Sequence, residues 1–273
     1  MNPPIPKYTL RQGTVPLLVS MPHVGTHIPP DIAAGMTPAA LQLPDTDWHL
    51  EQLYDFLEEL GASVLVATHS RYVIDLNRAR DDSNLYPGLD TTGLCPIDTF
   101  HKEPLYQAGK TPDEGAVQKR CSEYWNPYHA ALADELQRIR AEHGTAMLWD
   151  AHSICSVVPR FFDGRLPDLN LGTGGGTSCA SGLAERLQAI AHSAIGYSAA
   201  LNGRFKGGYI TRNYGKPADN VHAVQLELSE ITYMDERFPY RFDRALANGV
   251  RPTLRRFLQG MLDWAQTSVN RPV

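Results

Sequence analysis

The sequence has few cysteines and no long apolar runs, and these shortages exclude several classes of protein. Its 273 residues include four cysteines, no two of which form a Cys-x-x-Cys pair. That spacing argues against a disulfide framework or a structural zinc knuckle and is typical of reduced thiols in the cytosol. No apolar run approaches the length of a membrane span, and residues 1–13 lack the apolar core of a signal peptide. We therefore expect a cytoplasmic protein with no membrane partner.

The sequence also lacks an excess of positive charge. Lysine and arginine together number 25 against 30 acidic residues, which gives a formal net charge of −5. A protein of this charge is poorly suited to bind nucleic acid or an anionic membrane. Hydrophobic residues make up 42% of the chain, which is ordinary for a globular protein with a sizeable core. No segment has the composition of a linker, so we predict one domain over residues 1–273.

Apolar runs that predict strands alternate with amphipathic segments that predict helices. Strands are expected over residues 15–20, 63–68, 72–76, 146–149 and 221–228, with a short one after the glycines at 207 and 208. Helices are expected over residues 46–61, 113–142, 179–194 and 240–266, with a bend or break at Asn126-Pro127. Long irregular loops are expected over residues 81–112 and 154–178. This alternation predicts an α/β fold with a mixed, mostly parallel sheet and helices on both faces.

Histidines follow two of the predicted strands. The apolar run 146–149 leads into Asp150 and His152, and the run 15–20 leads into His23 and His27. In open α/β sheets, ligands bind at the carboxyl ends of parallel strands. A histidine with a carboxylate two residues before it suits a metal ligand whose orientation a neighbour holds. The two strand ends therefore point to a metal site.

Three arginines lie close together just after the predicted strand at 63–68. Arg71, Arg78 and Arg80 suit the recognition of a substrate carboxylate, because a guanidinium matches a carboxylate with two parallel hydrogen bonds. The alternative is a solvated turn paired with the acidic residues at 81 and 82. The spacing alone leaves both interpretations open.

Histidines, carboxylates and arginines in this arrangement suit metal-assisted hydrolysis. A zinc ion with three protein ligands keeps an open position for water, lowers the pKa of that water to about 7 and polarises a carbonyl. A nearby carboxylate can move the proton of the water to the leaving amine. Glu227, near the end of the predicted strand 221–228, is a candidate for this base.

Six stretches resemble the N-formylglutamate amidohydrolases, also called N-formylglutamate deformylases. They are MPHVGTHIP (21–29), DTDWHLEQLY (45–54), HSRYVIDLNRAR (69–80), WDAHS (149–153), GGYITRNYG (207–215) and HAVQLELSEITYM (222–234). That family is distantly similar to zinc carboxypeptidases and aspartoacylases. The resemblance implies a zinc-carboxypeptidase-like fold with the metal at the carboxyl edge of the sheet. It also implies hydrolysis of N-formyl-L-glutamate to formate and L-glutamate in histidine degradation.

The resemblance further implies roles for individual residues. His23 and His152 look like zinc ligands, and Asp47 is our choice for the third, since Thr26 stands where the zinc relatives have a glutamate. The alternatives to Asp47 are His27 and Asp45. Glu227 resembles the general base. The remaining roles are oxyanion stabilisation for Arg71 and substrate binding for Asn77, Arg78, Arg212 and, as a lesser candidate, Arg160.

Three other functions are compatible with the sequence. The protein could deacylate a different N-acyl amino acid, which a substrate panel would show. It could be a cysteine amidase that uses Cys155, three residues after His152, which Cys155→Ala would test. It could also be a non-catalytic member of the fold that binds a metal or an amino acid, which would then bind formylglutamate without turnover.

Overall fold

A computed structural model describes residues 5–269 and folds them around a seven-stranded sheet. The predicted domain covers residues 1–273, of which residues 1–4 and 270–273 lie outside the described part. The strands are β1 (Tyr8–Arg11), β2 (Leu17–Met21), β3 (Ser63–Ala67), β4 (Ala146–Ile154), β5 (Leu169–Gly172), β6 (Ala199–Leu201) and β7 (Val221–Ser229).

The strands lie in the order β1-β3-β2-β4-β7-β5-β6. The four central strands β3, β2, β4 and β7 are parallel to one another. β1 is antiparallel to β3, and β5 is antiparallel to β7 and parallel to β6. The prediction of a mixed, mostly parallel sheet is confirmed.

Helices cover both faces of the sheet. They are α1 (Pro30–Ala33), α2 (Leu50–Leu53), α3 (Glu114–Arg120), α4 (Asn126–His143), α5 (Ser181–His192), α6 (Tyr209–Tyr214) and α7 (Arg244–Val269). On one face Trp149 of β4 packs against Phe257 of α7, with ring centroids 5.6 Å apart. On the other face Leu148 shares a core with Leu132 of α4. The predicted α/β class is confirmed. Among the helices of residues 5–269, none is long and apolar enough to span a membrane.

The two central strands β4 and β7 are buried along their whole length. Strands covered on both faces normally read as continuous apolar runs. Here Asp150 and His152 of β4 pair in register with Gln225 and Glu227 of β7. Alternate residues of a strand point to one face, so these four polar side chains share a face near the carboxyl ends of the strands. Their burial is costly without polar partners, which marks this corner of the sheet as a candidate site.

The predicted helix over residues 46–61 is mostly wrong. Only Leu50–Leu53 is helical, and the chain continues in turns to Gly61. His49 has a left-handed backbone with φ of 61°, so a helix cannot run through it from Thr46. Asp45, expected near the start of the helix, instead accepts a hydrogen bond from the backbone N–H of Phe100.

The predicted strand over residues 72–76 is also wrong, because local side chains hold this apolar run in turns. The hydroxyl of Ser70 accepts a hydrogen bond from the N–H of Tyr72, and Asp75 accepts one from the N–H of Asn77. Side-chain acceptors of this kind compete with the pairing of a strand. The short strand expected after Gly208 is wrong as well, since α6 begins there.

The long helix expected over residues 113–142 is confirmed, with a break. Asp113 caps its start by accepting a hydrogen bond from the N–H of Ala116. A π-helical turn over Cys121–Trp125 separates α3 from α4. Pro127 has no N–H to donate to a carbonyl of the preceding turn, which explains why the predicted break falls there.

The remaining differences between the predicted and the observed elements lie mainly in the loops. Residues 81–112 contain no helix or strand, as expected. The loop expected over residues 154–178 is interrupted by β5, and β6 was likewise not expected. Both strands have four or fewer residues, too few for a periodic pattern to show.

Candidate active site

The carboxyl ends of β2 and β4 bring His23 and His152 together. His23 comes two residues after β2, and the centroids of the two imidazole rings are 4.9 Å apart. Asp47 lies beside them, because its backbone N–H donates a hydrogen bond to the carbonyl of His23. Its Oδ2 is 3.0 Å from Nδ1 of His152 and 3.7 Å from Nδ1 of His23. All three side chains are buried.

The arrangement of these three residues fits a divalent metal. Their donor atoms lie within 4.8 Å of one another. Oδ1 of Asp47 is buried without a hydrogen-bond partner among the described residues, with only the more distant Arg71 guanidinium at 3.6 Å, so it has room to bind a metal ion. Two imidazoles and one carboxylate form a donor set that suits zinc and leaves a fourth position for water or substrate. This group could therefore hold a metal ion.

Carboxylates behind the two histidines fix the direction of both rings. Nε2 of His23 is 2.7 Å from Oδ1 of Asp75, and Nε2 of His152 is 3.2 Å from Oδ1 of Asp150. Both Nδ1 atoms consequently face Asp47. A carboxylate behind a histidine ligand is a common feature of metal sites, because it fixes the tautomer of the ring and raises its basicity.

Burial and charge shift the pKa values of the two histidines in opposite directions. Burial and the neighbouring Arg71 lower the pKa of His23 and outweigh the carboxylates of Asp75 and Asp47. Burial also opposes the charged form of His152, but Asp150 and Asp47 raise its pKa well above the ordinary value. A metal cation at Asp47 would take the place of the proton that the two carboxylates attract to His152, because a histidine binds a metal through its neutral form.

Arg71 connects the carboxylates of this corner. Its Nη2 is 2.8 Å from Oδ2 of Asp75, and its Nη1 is 3.6 Å from Oδ1 of Asp47. The guanidinium stacks over the ring of Phe100 at 4.8 Å and lines the adjoining cleft. Burial opposes its charge, but the nearby carboxylates outweigh that effect and raise the pKa of Arg71. Arg71 is therefore a fixed cation beside the candidate metal site.

Glu227 is a buried carboxyl group in the same cleft. It sits beside His152 in register, and the amide of Gln225 donates a hydrogen bond of 3.0 Å to its Oε2. Burial raises its pKa, and although His152 and Arg71 act in the opposite direction, the resulting pKa is about 8. A carboxyl group with a pKa near neutral can both accept and donate a proton under ordinary conditions.

The cleft contains about 580 Å³ of empty volume, including its open mouth. His23, His152 and Glu227 line it together with Asn77 and three arginines. Asn77 lies 3.0 Å from Nε2 of His152 and accepts a hydrogen bond from the N–H of Ile210, at the start of α6. The three arginines are Arg71, Arg78 and Arg204, and the aromatic residues are Tyr86, Phe100, Phe161 and Phe205.

Residues 15–234 match the family model of the N-formylglutamate amidohydrolases. This chain belongs to that family. The N-formylglutamate deformylase of Pseudomonas aeruginosa is 53% identical over 258 residues, which are 94% of this chain and 97% of the relative. The N-formylglutamate deformylase of Pseudomonas putida is 50% identical over 263 residues, 96% of this chain and 98% of the relative. The resemblance expected from the sequence is confirmed, and so is the expectation of a hydrolase that acts on an amide.

Two solved structures share the fold of this amidohydrolase. The N-formylglutamate amidohydrolase from Ralstonia eutropha JMP134 has a TM-score of 0.83 at 24% identity, over 97% of this chain and 100% of that one. A gene product from Agrobacterium tumefaciens has a TM-score of 0.67 at 17% identity, over 97% of this chain and 96% of that one. At these identities the likeness concerns the fold alone, and the likeness to zinc carboxypeptidases stays a prediction.

The structure brings together most of the predicted site residues of this amidohydrolase. His23, His152 and Asp47 form the candidate metal group, whereas the alternative ligands His27 and Asp45 lie outside it. His27 packs edge-on against the ring of His69. The predicted residues that line the adjoining cleft are Arg71, Asn77, Arg78 and Glu227.

Two predicted substrate-binding arginines are not among the described residues that line the cleft. Arg160 is largely buried and pairs with the more exposed Asp90 and Asp98. Arg212, on α6, donates a hydrogen bond to the carbonyl of Gly207 and lies over the ring of Tyr86. Their expected roles in substrate binding stay predictions.

Sequence reasoning missed three residues of the site: Asp75, Gln225 and Arg204. Asp75 lies within the run that was interpreted as a strand, where its side chain was given no role. Gln225 precedes Glu227 by two residues, so its position on the same face of β7 followed from the period of a strand. Arg204 lies outside the predicted elements, and no local pattern marks it.

Proposed function

We propose that this amidohydrolase hydrolyses N-formyl-L-glutamate to formate and L-glutamate with Zn²⁺ held by His23, Asp47 and His152. The observation that carries the proposal is the buried His-Asp-His group directly beside Glu227, in a cleft lined by arginines. The names of the two Pseudomonas relatives support the substrate. We place the reaction in the cytoplasm, in the degradation of histidine, as the sequence predicts.

A metal at this group would supply Lewis acidity, which lowers the pKa of the attacking water and polarises the formyl carbonyl. Arg71 would stabilise the negative charge that develops on the formyl oxygen. Asn77 and Arg78 would bind the α-carboxylate and so hold the scissile amide over the group. Gln225 orients the acid-base residue through its hydrogen bond to Oε2.

Glu227 would carry the proton through the reaction. Its carboxylate takes one proton from the attacking water as the new C–O bond forms at the formyl carbon. When the C–N bond breaks, the carboxyl group returns this proton to the leaving amine nitrogen. The second proton of the water leaves formic acid and protonates the amine, so the products are formate and L-glutamate, and Glu227 is again a carboxylate.

The decisive experiment measures formate release from N-formyl-L-glutamate by the purified protein before chelation, after chelation and after zinc is added back. Loss with chelator and recovery with zinc is the expected result. Activity that survives thorough chelation would contradict the metal mechanism. If the metal-loaded protein releases no formate, the substrate is wrong, and a panel of other N-acyl amino acids comes next.

The structure disfavours Cys155 as a nucleophile. Its thiol donates a hydrogen bond of 3.3 Å to Oε2 of the buried Glu230. Burial and that carboxyl group raise the pKa of Cys155 above its usual range, whereas a reactive cysteine needs a lowered pKa. We expect Cys155→Ala to retain formate release.

A further inference from the structure

Arg204 lies in the cleft between three aromatic rings. Its guanidinium carbon is 5.5 Å from the ring centroid of Tyr86, 5.8 Å from that of Phe161 and 5.3 Å from that of Phe205. The side chain is half-buried, and its Nε donates a hydrogen bond to the backbone carbonyl of Phe161. The rings shield the guanidinium from water and hold it by cation–π contacts.

The outer nitrogens of Arg204 are available to a ligand. Among residues 5–269, the structure records no hydrogen bond from Nη1 or Nη2 and no ion pair to a carboxylate. Arg160, on a neighbouring loop, shows the usual alternative, since it is neutralised by Asp90 and Asp98. A cation held among aromatic rings and not ion-paired to a carboxylate is suited to bind the carboxylate of a ligand.

A second arginine of the cleft adds to this positive charge. Arg78 donates hydrogen bonds to the carbonyl and hydroxyl of Thr92, and it forms no ion pair with a described carboxylate. Burial lowers the pKa of Arg204, Tyr86 and Glu227 act in the opposite direction, and Arg78 adds a smaller lowering. Two cations that repel each other across one cleft are complementary to a ligand with two carboxylates.

Hydrogen bonds connect the segment that carries Arg204 to β7, the strand that carries Glu227. The hydroxyl of Tyr86 donates a hydrogen bond to the carbonyl of Gly207 and accepts one from the N–H of Lys206. The next residue, Gly208, donates its N–H to Gln225, whose amide in turn holds Glu227. The position of Arg204 is therefore fixed relative to Glu227. A fixed separation of the two residues is needed if the site is to select substrates by the position of a second carboxylate.

We infer that Arg204 binds the side-chain carboxylate of the substrate and selects dicarboxylic N-formyl amino acids. The inference rests on the proposed function, in which Asn77 and Arg78 take the α-carboxylate. Arg212 was the sequence-based choice for the second carboxylate, but Arg204 lines the cleft and Arg212 does not.

The test compares N-formyl-L-glutamate with N-formyl-L-glutamine, which differ only in the charge of the side chain. We expect the wild type to prefer the glutamate compound. Arg204→Met should raise the KM for it about 10- to 100-fold and change kcat little, because a charge-assisted contact remote from the amide is lost. Its kcat/KM for the glutamine compound should change less than threefold, and Arg204→Lys should recover part of the preference.

Arg237→Met is the matched control, since Arg237 is exposed and Asp235 is its only ion-pair partner within residues 5–269. Both kinetic constants should match those of the wild type. The inference is overturned if Arg204→Met keeps the wild-type preference, or if Arg212→Met abolishes the preference in its place.

Binding measurements separate this inference from the proposed function. Calorimetry with L-glutamate and L-glutamine on the zinc-loaded proteins needs no turnover. A preference for L-glutamate that disappears in Arg204→Met supports the inference even if the wild type releases no formate, in which case only the proposed reaction fails. Equal binding of the two amino acids by the wild type would refute the role of Arg204.

Discussion

Glu227 shows how a single residue takes its chemistry from its surroundings. The neighbouring His152 and Arg71 favour the ionised carboxylate, whereas burial opposes it and raises the pKa to about 8. The hydrogen bond from the neutral amide of Gln225 orients the carboxyl group of Glu227 without adding a charge. The same carboxyl group on the protein surface would be ionised throughout the neutral range and would be a weaker base.

Glu227→Gln tests this role by removing the proton-accepting oxygen and keeping the shape of the side chain. We expect kcat to fall by about 10²- to 10⁴-fold, the usual contribution of general acid–base catalysis. Zinc content should remain unchanged, because Glu227 is not in the metal group. Metal analysis and steady-state kinetics measure both quantities, and Glu185→Gln on the exposed face of α5 is the control. Loss of zinc from Glu227→Gln would indicate that Glu227 is a metal ligand instead.

Glu230 is a buried carboxyl group outside the catalytic cleft, and it makes stability depend on pH. Burial and the carboxylates of Asp47 and Glu236 raise its pKa well above the ordinary value, despite the hydrogen bond from Cys155. A folded-state pKa above the unfolded one means that the folded protein binds more protons between those two values. The free energy of unfolding must therefore fall as the pH rises above about 4.3, the unfolded value.

Glu230→Gln should remove this dependence. We compare the free energies of unfolding of the variant and the wild type. Their difference should shift in favour of the variant by at least about 1.4 kcal/mol between pH 5 and pH 8, the equivalent of one pKa unit. Urea denaturation at both pH values, in the presence of chelator, measures the change. Glu227 contributes in the same direction in both proteins and cancels in the comparison. Parallel pH profiles for the two proteins would show that Glu230 does not titrate in this range.

At the scale of elements, the start of α6 fits closely against the turn that carries Asn77. A Cβ atom at Gly208 would lie 2.3 Å from Nδ2 of Asn77, far inside contact distance. The φ of Gly208 is −83°, so an alanine there meets no backbone strain. The glycine is thus required by packing, and the position of Asn77 beside His152 depends on it.

Gly208→Ala should displace the amide of Asn77 and disturb both the substrate site and His152. We expect kcat/KM for N-formyl-L-glutamate to fall at least about tenfold, with a loss of stability of about 1–3 kcal/mol from overpacking. The control is Gly115→Ala in α3, where the added Cβ makes only an ordinary contact of 3.5 Å with Asp113. Steady-state kinetics and thermal melts of both variants test this prediction. Wild-type kinetic constants for Gly208→Ala would contradict it.

The sequence predicted the elements that position the metal group and failed on those that depend on tertiary contacts. β2, β4 and β7 are buried strands, and their apolar runs are long enough to recognise. The run at 72–76 looked the same, but Ser70 and Asp75 supply local acceptors that a pattern of hydrophobicity does not register. β5 and β6 are short and form only through their partners.

The residues of the site also divide into those that the sequence predicted and those that depend on tertiary contacts. His23 and His152 were predictable because one follows β2 and the other lies near the end of β4, and parallel strands end at the same edge. Asp47 needed the family resemblance, since the helix expected beside it does not begin there. Arg204 was beyond prediction, because the contacts of Tyr86 with distant residues place its segment over the cleft.

At the scale of the whole molecule, the metal group joins distant parts of the chain and should couple metal binding to stability. His23, Asp47 and His152 come from two strand ends and a loop, and Asp47 carries a buried oxygen that accepts no hydrogen bond from the described residues. Because the sheet already holds the three side chains in place, we expect the metal-free protein to remain folded but less stable.

Zinc at 100 times its dissociation constant should stabilise the fold by about 2.7 kcal/mol. For a protein of this size that corresponds to a rise in Tm of about 5–10 °C. Differential scanning calorimetry with zinc and with chelator measures the shift. Asp47→Ala should fold and show no shift, whereas an equal shift in that variant would place the metal elsewhere.

The order of strands in the sheet also governs how the protein can be made on the ribosome. β4 has β7 as its neighbour on one side, yet residues 155–220 separate the two in the chain. At about 5–20 residues per second, residues 155–229 take about 4–15 s to synthesise. During that time the nine-residue edge of β4 has no partner, and an open apolar edge invites association between nascent chains. We therefore expect chains truncated before residue 221 to aggregate or to require chaperones, because the strand that supplies Glu227 is also the one that covers this edge.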